Sequence, residues 1–350
     1  MTDQLVIKNF QTAVIDEPLK RPFITHLHKV TAIHAVQVKL ILTNGLTGTG
    51  AATPNEKVTG DTMSSLKETM DSVIGPQLVG KSLNHLEELM ATLANVIRYN
   101  EPAKAAFDMA VYDLLSQITK LPFPALFGGA KDTMQTDYTI SIGSQEQMVT
   151  EARELVAAGF TALKIKIGNN PVAEDVATVA EIARTVGPKI PLRLDVNQGW
   201  NYKQARRALT MLEERNLNIA FVEQPLAADQ IAEMARLRMQ TTIPIMLDES
   251  VFLPADALRV IRADAADYVN IKLMKCGGLF QAAKINDLCA TAGIGCMVGC
   301  MIESQVGLAA GLAFALGHQN VKFIDLDSCF MAKDSAMTLI SNDGPKLMLN

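Results

Sequence analysis

The stretch Ala162-Leu163-Lys164-Ile165-Lys166-Ile167-Gly168 alternates cationic and apolar side chains with period two. As a strand it sets Lys164 and Lys166 on one face and Leu163, Ile165 and Ile167 on the other. In isolation such a pattern also describes a half-exposed strand whose lysines point at water. Three further short apolar runs, however, end in an acid: Leu192-Arg193-Leu194-Asp195, Phe221-Val222-Glu223 and Ile245-Met246-Leu247-Asp248. A fourth, Tyr268-Val269-Asn270-Ile271-Lys272, ends in a lysine. Charges recurring at corresponding strand ends are distributed as in an active site, not as on a solvated face.

Brought together, Asp195, Glu223 and Asp248 are three hard oxygen ligands, a set suited to Mg2+ with positions left for water or substrate. Lys166 precedes them and Lys272 follows, so the two ammonium groups are expected on opposite sides of a bound molecule. One would remove a proton while the other delivers one. A lysine base needs a lowered pKa, and Lys164, two residues away on the same face, is expected to lower that of Lys166 by like-charge repulsion, together with the divalent metal. Lys164, Lys166 and Lys272 are therefore the catalytic candidates. The structural alternative is a set of buried ion pairs closing one end of the fold, which is costly in desolvation and gives little reason for concentrating charge there.

These side chains need strands to carry them. Candidates are Thr136–Ile142, Ala162–Ile167, Leu192–Val196, Phe221–Glu223, Ile243–Leu247, Tyr268–Lys272, Cys296–Ile302 and Lys322–Leu326, with helical patterns such as Pro171–Val186, Tyr202–Asn216 and Gly278–Ala292 between them. Regular alternation predicts an α/β fold, a (β/α) barrel of modified TIM type. A doubly wound open sheet is the competing architecture, but it would not gather charges from five strands at one mouth.

The region before the barrel reads as α+β. Leu5 to Ile15 and Ala35 to Leu42 are strand regions, Thr43-Asn44-Gly45 is a turn, and Thr47 to Ala51 returns the chain. The polar stretch from Lys20 to Val30 reads as a loop. Helices are expected over Asp61–Ile74, ending at Gly75-Pro76, over Asn84–Ile97 and over Ala103–Ile118. The breakers Pro122, Pro124, Gly128 and Gly129 mark a boundary, giving an N-terminal domain over 1–125, a barrel over 126–327 and a C-terminal segment over 328–350.

Composition narrows the setting. The chain has 350 residues, 49% of them apolar, and a net charge of −5 with acids and bases interspersed. That argues against nucleic acid and anionic membranes as partners. The run from Gly307 to Gly317 is too short to span a bilayer and fits a buried helix. No secretory signal precedes Leu5, and the five cysteines, Cys276, Cys289, Cys296, Cys300 and Cys329, lack metal-type spacing. A reduced, cytoplasmic protein is expected; a homo-oligomer is compatible with the sequence but not specified by it.

Lys164-x-Lys166, Asp195-x-Asn197, Glu223-Gln224-Pro225, Asp248-Glu249-Ser250 and Asn270-Ile271-Lys272 resemble, in order, the motifs of the enolase superfamily, in its muconate-lactonising subgroup. The resemblance covers nearly the whole chain. It implies a capping domain that the C-terminal tail rejoins, and abstraction of a proton α to a carboxylate with Mg2+ stabilising the enolate. Thr136-Asp137-Tyr138-Thr139 and Met297-Val298-Gly299-Cys300-Met301-Ile302-Glu303 are similar to the dipeptide epimerases of this subgroup. In those enzymes an Asp-x-Asp at the end of the eighth barrel strand holds the substrate's ammonium group. Asp325 and Asp327 match it, at i and i+2 on what reads as one strand face, and Thr139 joins them as a substrate contact.

One position departs from the pattern. His28 stands in Phe23-Ile24-Thr25-His26-Leu27-His28-Lys29 where enzymes acting on L-Ala-D/L-Glu carry an arginine for the glutamate side chain. A mostly neutral histidine cannot make a two-pronged contact with a carboxylate. A non-acidic second residue is therefore expected, walled by Phe23, Leu27, Cys300, Met301 and Ile302, with a dipeptide as the small-molecule partner. Within the subgroup an N-acylamino-acid racemase, an o-succinylbenzoate synthase or a cycloisomerase would use the same lysines and acids. Outside it, a non-catalytic Mg2+-carboxylate binding protein would need only the acids.

Overall fold

The computed structural model describes residues 5–24, 29–333 and 337–350. The N-terminal region is an antiparallel sheet of β1 (Ile7–Ile24), β2 (Lys29–Leu42) and β3 (Thr47–Ala52), packed on helices. Helix α1 (Met63–Glu68) passes through a π-helical turn, Thr69–Ile74, into α2 (Gly75–Leu78). Two longer helices follow, α3 (Leu86–Asn95) and α4 (Glu101–Thr119). Helix α4 is buried for most of its length because it lies between the capping sheet and the barrel. β3 approaches its backbone so closely that a Cβ at Gly50 would stand 1.8 Å from the Ala106 carbonyl oxygen.

Two expectations are corrected here. The polar stretch from Lys20 is not a loop: β1 continues to Ile24 and β2 already begins at Lys29. An antiparallel ribbon may keep water on one face, so polar residues at alternate positions do not break it. The other concerns Gly75-Pro76, which does not end the first helix. Pro76 lies in the first turn of α2, where a missing N–H is tolerated. Gly75 leaves room for the Phe10 ring, which would stand 2.2 Å from a Cβ.

The barrel begins after β4 (Met134–Gln135). Its strands are β5 (Tyr138–Ile140), β6 (Leu163–Lys166), β7 (Leu192–Asp195), β8 (Ile219–Glu223), β9 (Ile245–Leu247), β10 (Tyr268–Ile271), β11 (Gly295–Gly299) and β12 (Val321–Asp325). Each pairs in parallel with the next, and a parallel bridge between Thr136 and Ile324 closes the ring. The strands alternate with α5 (Gln145–Ala157), α6 (Val172–Val186), α7 (Tyr202–Glu214), α8 (Ile231–Arg238), α9 (Pro254–Ala263), the short α10 (Leu273–Cys276), α11 (Leu279–Thr291) and α12 (Gln305–Gly317). The apolar run from Gly307 lies wholly inside α12 and is buried throughout. No helix among the described residues is long and apolar enough to cross a membrane.

The chain's last segment is shared between the two regions. Residues 331–333 run antiparallel to β1: the Lys20 N–H donates to the Met331 carbonyl at 2.8 Å and the Lys333 N–H to the Pro18 carbonyl at 2.9 Å. The hairpin β13 (Ile340–Asp343) and β14 (Lys346–Leu349) then pairs with β4.

Cap and barrel are joined by one fully buried carboxylate. Asp108 of α4 accepts the backbone N–H groups of Leu279, at 2.6 Å, and Phe280, at 3.1 Å, so it caps the start of α11 from another domain. Burial raises its pKa to about 7, against the pull of those two N–H groups. Its pKa is higher folded than unfolded, so the folded state binds more protons between about pH 4 and pH 7 and stability falls as pH rises through that window. Asp108→Ala should therefore destabilise by about 1–3 kcal/mol at pH 5, since it leaves two buried N–H groups unpaired. In urea titrations the deficit should shrink towards pH 8; a deficit that grows with pH would contradict this account.

Candidate active site

The barrel interior is layered. Its floor is Phe221, Met246 and Met297 with Tyr268 and Phe323, an apolar plug built from inward-facing residues of β8 to β12. Arg193 crosses this floor, its guanidinium 4.8 Å from the Phe323 ring centre, and donates to Asp137 at 2.7 Å and to the Ile324 carbonyl at 3.1 Å. Two residues further along each strand lies the polar layer. In register, Lys166 stands beside Asp195 and Asp195 beside Glu223.

Lys164 is the centre of that layer. Its Nζ is 2.7 Å from Asp325 Oδ2, 2.8 Å from Glu223 Oε2 and 3.0 Å from Asp195 Oδ2, with 1% of the side chain exposed. Burial alone would lower its pKa, but Asp195, Asp325 and Glu223 outweigh that and hold it well above the ordinary lysine value. The sequence treats Lys164 chiefly as a repulsive charge beside Lys166; in the folded protein three carboxylates compensate it. Burial likewise opposes ionisation of Asp195, but Lys164 and Lys166 outweigh it and bring its pKa down to about 2. Glu223 goes the other way, to about 7, through burial and the neighbouring Asp195.

The remaining candidates surround this layer. Lys166 donates to Asp195 Oδ2 at 2.5 Å and to Asn197 Oδ1 at 3.0 Å. Lys272, immediately after β10, donates to Asp248 Oδ2 at 2.8 Å. Burial opposes the charge on Lys272, yet Asp248 raises its pKa above the ordinary value. Asn270 donates to Glu223 Oε1 at 2.7 Å. The fully buried Lys275 lies 2.6 Å from Asp248 Oδ1 and donates to the carbonyls of Asp248, Val251 and Asn270, which ties down the loop after β9.

The donor set suits a hard divalent cation. Three carboxylates are fully buried in one layer, and Glu223 Oε2 and Asp248 Oδ1 accept no aligned hydrogen bond although ammonium groups lie near them. Among the described residues no three acid, histidine or cysteine side chains are drawn into a ready ligand cluster, because lysines pair with each acid. The acids thus fit Mg2+ in charge and chemistry, and holding it would require Lys164 to yield part of its pairing.

Asp325 ends β12, while Asp327 begins a 3-10 turn, Asp327–Phe330, so the two do not share a strand face as the spacing suggests. They nonetheless enter the same cavity. Asp327 Oδ2 accepts the Thr139 N–H at 2.7 Å, which makes Thr139 a backbone partner of the acid. Burial and Asp325 raise Asp327 to about 7, whereas Asp325 is lowered, its burial outweighed by Lys164.

The strand expected to reach Ile302 ends at Gly299, so Cys300, Met301 and Ile302 come from the following loop. All three line the cavity with Phe23. Phe23 and Ile302 also pack on a small apolar cluster of Leu19, Ile33, Met331 and Ala332. The Cys300 thiol is pushed well above its usual range, by burial first and then by Asp325 and Asp327. Leu27 and His28 lie outside the described residues.

Several site residues escaped sequence reasoning. Asn55 and Val58 reach the cavity from the capping domain, and nothing in their local pattern signals it. Glu249 was visible only as part of a motif. Arg193 shares its strand face with Asp195 and Lys275 follows Lys272 by about one helical turn, so period alone places both near the charges.

Residues 9–128 match the family model described as mandelate racemase / muconate lactonizing enzyme, N-terminal domain, and residues 147–340 the one described as enolase C-terminal domain-like. The chain is 40% identical over 327 residues to the L-Ala-D/L-Glu epimerase of Bacillus subtilis, covering 93% of this chain and 89% of that protein. It superposes on a substrate-liganded complex of the Bacillus subtilis enzyme with a TM-score of 0.96, at 39% identity, covering 98% of this chain and 96% of that one. A dipeptide epimerase of Enterococcus faecalis, complexed with Mg and L-Leu-L-Tyr, superposes with a TM-score of 0.93 at 34% identity, covering 99% and 97%. With both halves matched and the charged layer in place, the chain belongs to the mandelate racemase / muconate lactonizing enzyme family of the enolase superfamily, among its dipeptide epimerase-like members.

Proposed function

We propose that this protein epimerises free dipeptides at the α-carbon of the C-terminal residue, by Mg2+-dependent proton transfer between two lysines. The observation that carries the reading is the placement of Lys166 and Lys272. They belong to strands four places apart in a ring of eight, with buried acids between them. Two bases on opposite sides of one carbon are what inversion through a planar intermediate requires. Mg2+, held by Asp195, Glu223 and Asp248, would supply positive charge to the substrate carboxylate as it gains enolate character.

The chain's own groups account for the rest. One lysine, as the neutral amine, takes the α-proton; the electron pair passes into the carboxylate; the opposite lysine, as ammonium, returns a proton to the other face. Lys164 adds fixed positive charge to the same layer. Asp325 and Asp327 receive the ammonium group of the first residue, with Thr139 orienting Asp327. Around the second residue's side chain, Phe23, Cys300, Met301 and Ile302 provide a mostly apolar wall, which favours a non-acidic residue. The His28 substitution supports the same preference on sequence grounds.

Three measurements test this reading. Chelation should abolish activity, and Glu223→Gln should raise the Mg2+ concentration needed for half-maximal rate, because a charged ligand becomes a neutral one; full turnover in metal-free buffer would end the proposal. Lys272→Ala should lose epimerisation while still exchanging the α-hydrogen of one epimer, and near-wild-type turnover would remove the two-base assignment. Asp327→Asn should lower kcat/KM for free dipeptides roughly tenfold to a hundredfold, for a charge-assisted hydrogen bond of about 1.5–3 kcal/mol. Dipeptides acetylated at the amine should be affected much less. If both substrate types lose equally, or the wild-type enzyme prefers the acetylated form, an N-acylamino-acid racemase is the better description.

A further inference from the structure

Asn197 follows Asp195 in a left-handed backbone conformation, φ +44, and Gln198 continues the turn at φ +70. Such values are uncommon outside glycine, although asparagine tolerates them better than most residues. The Asn197 N–H closes the turn by donating to Asp195 Oδ1 at 3.0 Å. The side chain then reaches two charged groups of the cavity. Its Oδ1 accepts from Lys166 Nζ at 3.0 Å, and its Nδ2 donates to Glu249 Oε1 at 3.2 Å. All three residues are more than nine-tenths buried.

An amide between an ammonium and a carboxylate has one favourable orientation. Turned over, it would face –NH2 to –NH3+ and oxygen to oxygen. Lysine is a point charge on a flexible stem with three donors, so its acceptors decide where the nitrogen points. Asp195 Oδ2 and Asn197 Oδ1 come from the same strand end and define two of those directions. Lys272 is held differently: its hydrogen-bond acceptor is Asp248 Oδ2, with Glu223 and Glu249 adding negative charge nearby.

We propose that Asn197 is a positioning residue for Lys166 and not for Lys272: Glu249 sets the Asn197 amide, and the amide aims the Lys166 nitrogen at one face of the substrate. This inference rests on the two-lysine reading above. It makes the active site asymmetric, with one base hydrogen-bonded to a carboxylate and an amide and the other to a carboxylate without an amide.

Exchange with retained configuration isolates each base. The neutral lysine takes the α-proton, the electron pair remains on the substrate as the enolate, and the ammonium, after exchanging with D2O, returns a deuteron to the same face. The substrates are L-Ala-L-Leu and L-Ala-D-Leu, in holoenzyme loaded with Mg2+, with α-deuterium read by mass spectrometry before inversion accumulates. Lys166→Ala and Lys272→Ala first identify which epimer each lysine serves.

Asn197→Gly keeps the left-handed backbone accessible and removes only the side chain. It should slow exchange of the Lys166-side epimer roughly tenfold to a hundredfold and leave the Lys272-side epimer within about threefold. Glu249→Leu should slow the Lys166-side epimer more than the Lys272-side epimer, which loses only a nearby charge, and Glu249→Gln, which still offers the amide an acceptor, should recover most of the Lys166-side rate. Equal slowing of both epimers in Asn197→Gly and Glu249→Leu would overturn the positioning role and leave the two-lysine reading standing. If Lys166→Ala and Lys272→Ala do not separate the epimers, the two-lysine reading falls, and this inference with it.

Discussion

A buried ammonium is the constraint on which the interior of this barrel depends. Lys164 is almost wholly out of water, where an uncompensated charge would cost several kcal/mol. Three carboxylates, from β7, β8 and β12, lie within 3.0 Å of it. Its pairing thus spans much of the ring and ties the ends of distant strands to one point. The acids in turn carry more negative charge than Lys164 can balance, which Lys166, Lys272 and Lys275 meet from other directions. The charges of the layer are mutually compensating.

Much of this was legible in the sequence because barrel strands impose a period of two with a fixed end. Lys164, Lys166, Asp195, Glu223, Asp248 and Lys272 lie at or next to strand termini, so the alternation that identifies each strand also orients its charge. What the pattern missed has different physics. The ribbon of β1 and β2 beyond Lys20 is strand without a fully buried face, so its composition resembles a loop. Asp327 sits in a 3-10 turn, where an i, i+2 relation no longer implies a shared face. Asn55 and Val58 are near the barrel charges only because one domain folds over another, and no local window contains that information.

The cap does more than cover the barrel. Asp108 reaches out of α4 to cap the start of α11, and Phe23 on β1 packs on the same apolar cluster as Ile302 from the loop after β11. Arg21, beside it, pairs with Glu151 of α5 and bonds to the Tyr138 side chain. The cavity wall therefore combines Phe23 of β1 with residues of the loop after β11. The apolar wall thus lies at a junction, while the charged layer sits below it on barrel strands. The two can vary separately, as expected where related folds accept different substrates.

The antiparallel bridge between Leu19 and Ala332 has a consequence for how the protein is made. β1 is among the first segments to emerge during synthesis, yet the backbone partners of Pro18 and Lys20 are supplied by residues 331–333. Contacts of such separation form late, because the intervening chain must be ordered before they are rewarded. The ribbon bearing Phe23 thus waits, with one edge unpaired, until the last barrel strand and the turn beyond it have been translated. A nascent chain stalled between Asp327 and Met331 would already contain every lysine and acid of the charged layer but would lack the segment that pairs with this edge. The cover over the charged layer is therefore secured only after the last barrel strand has been made.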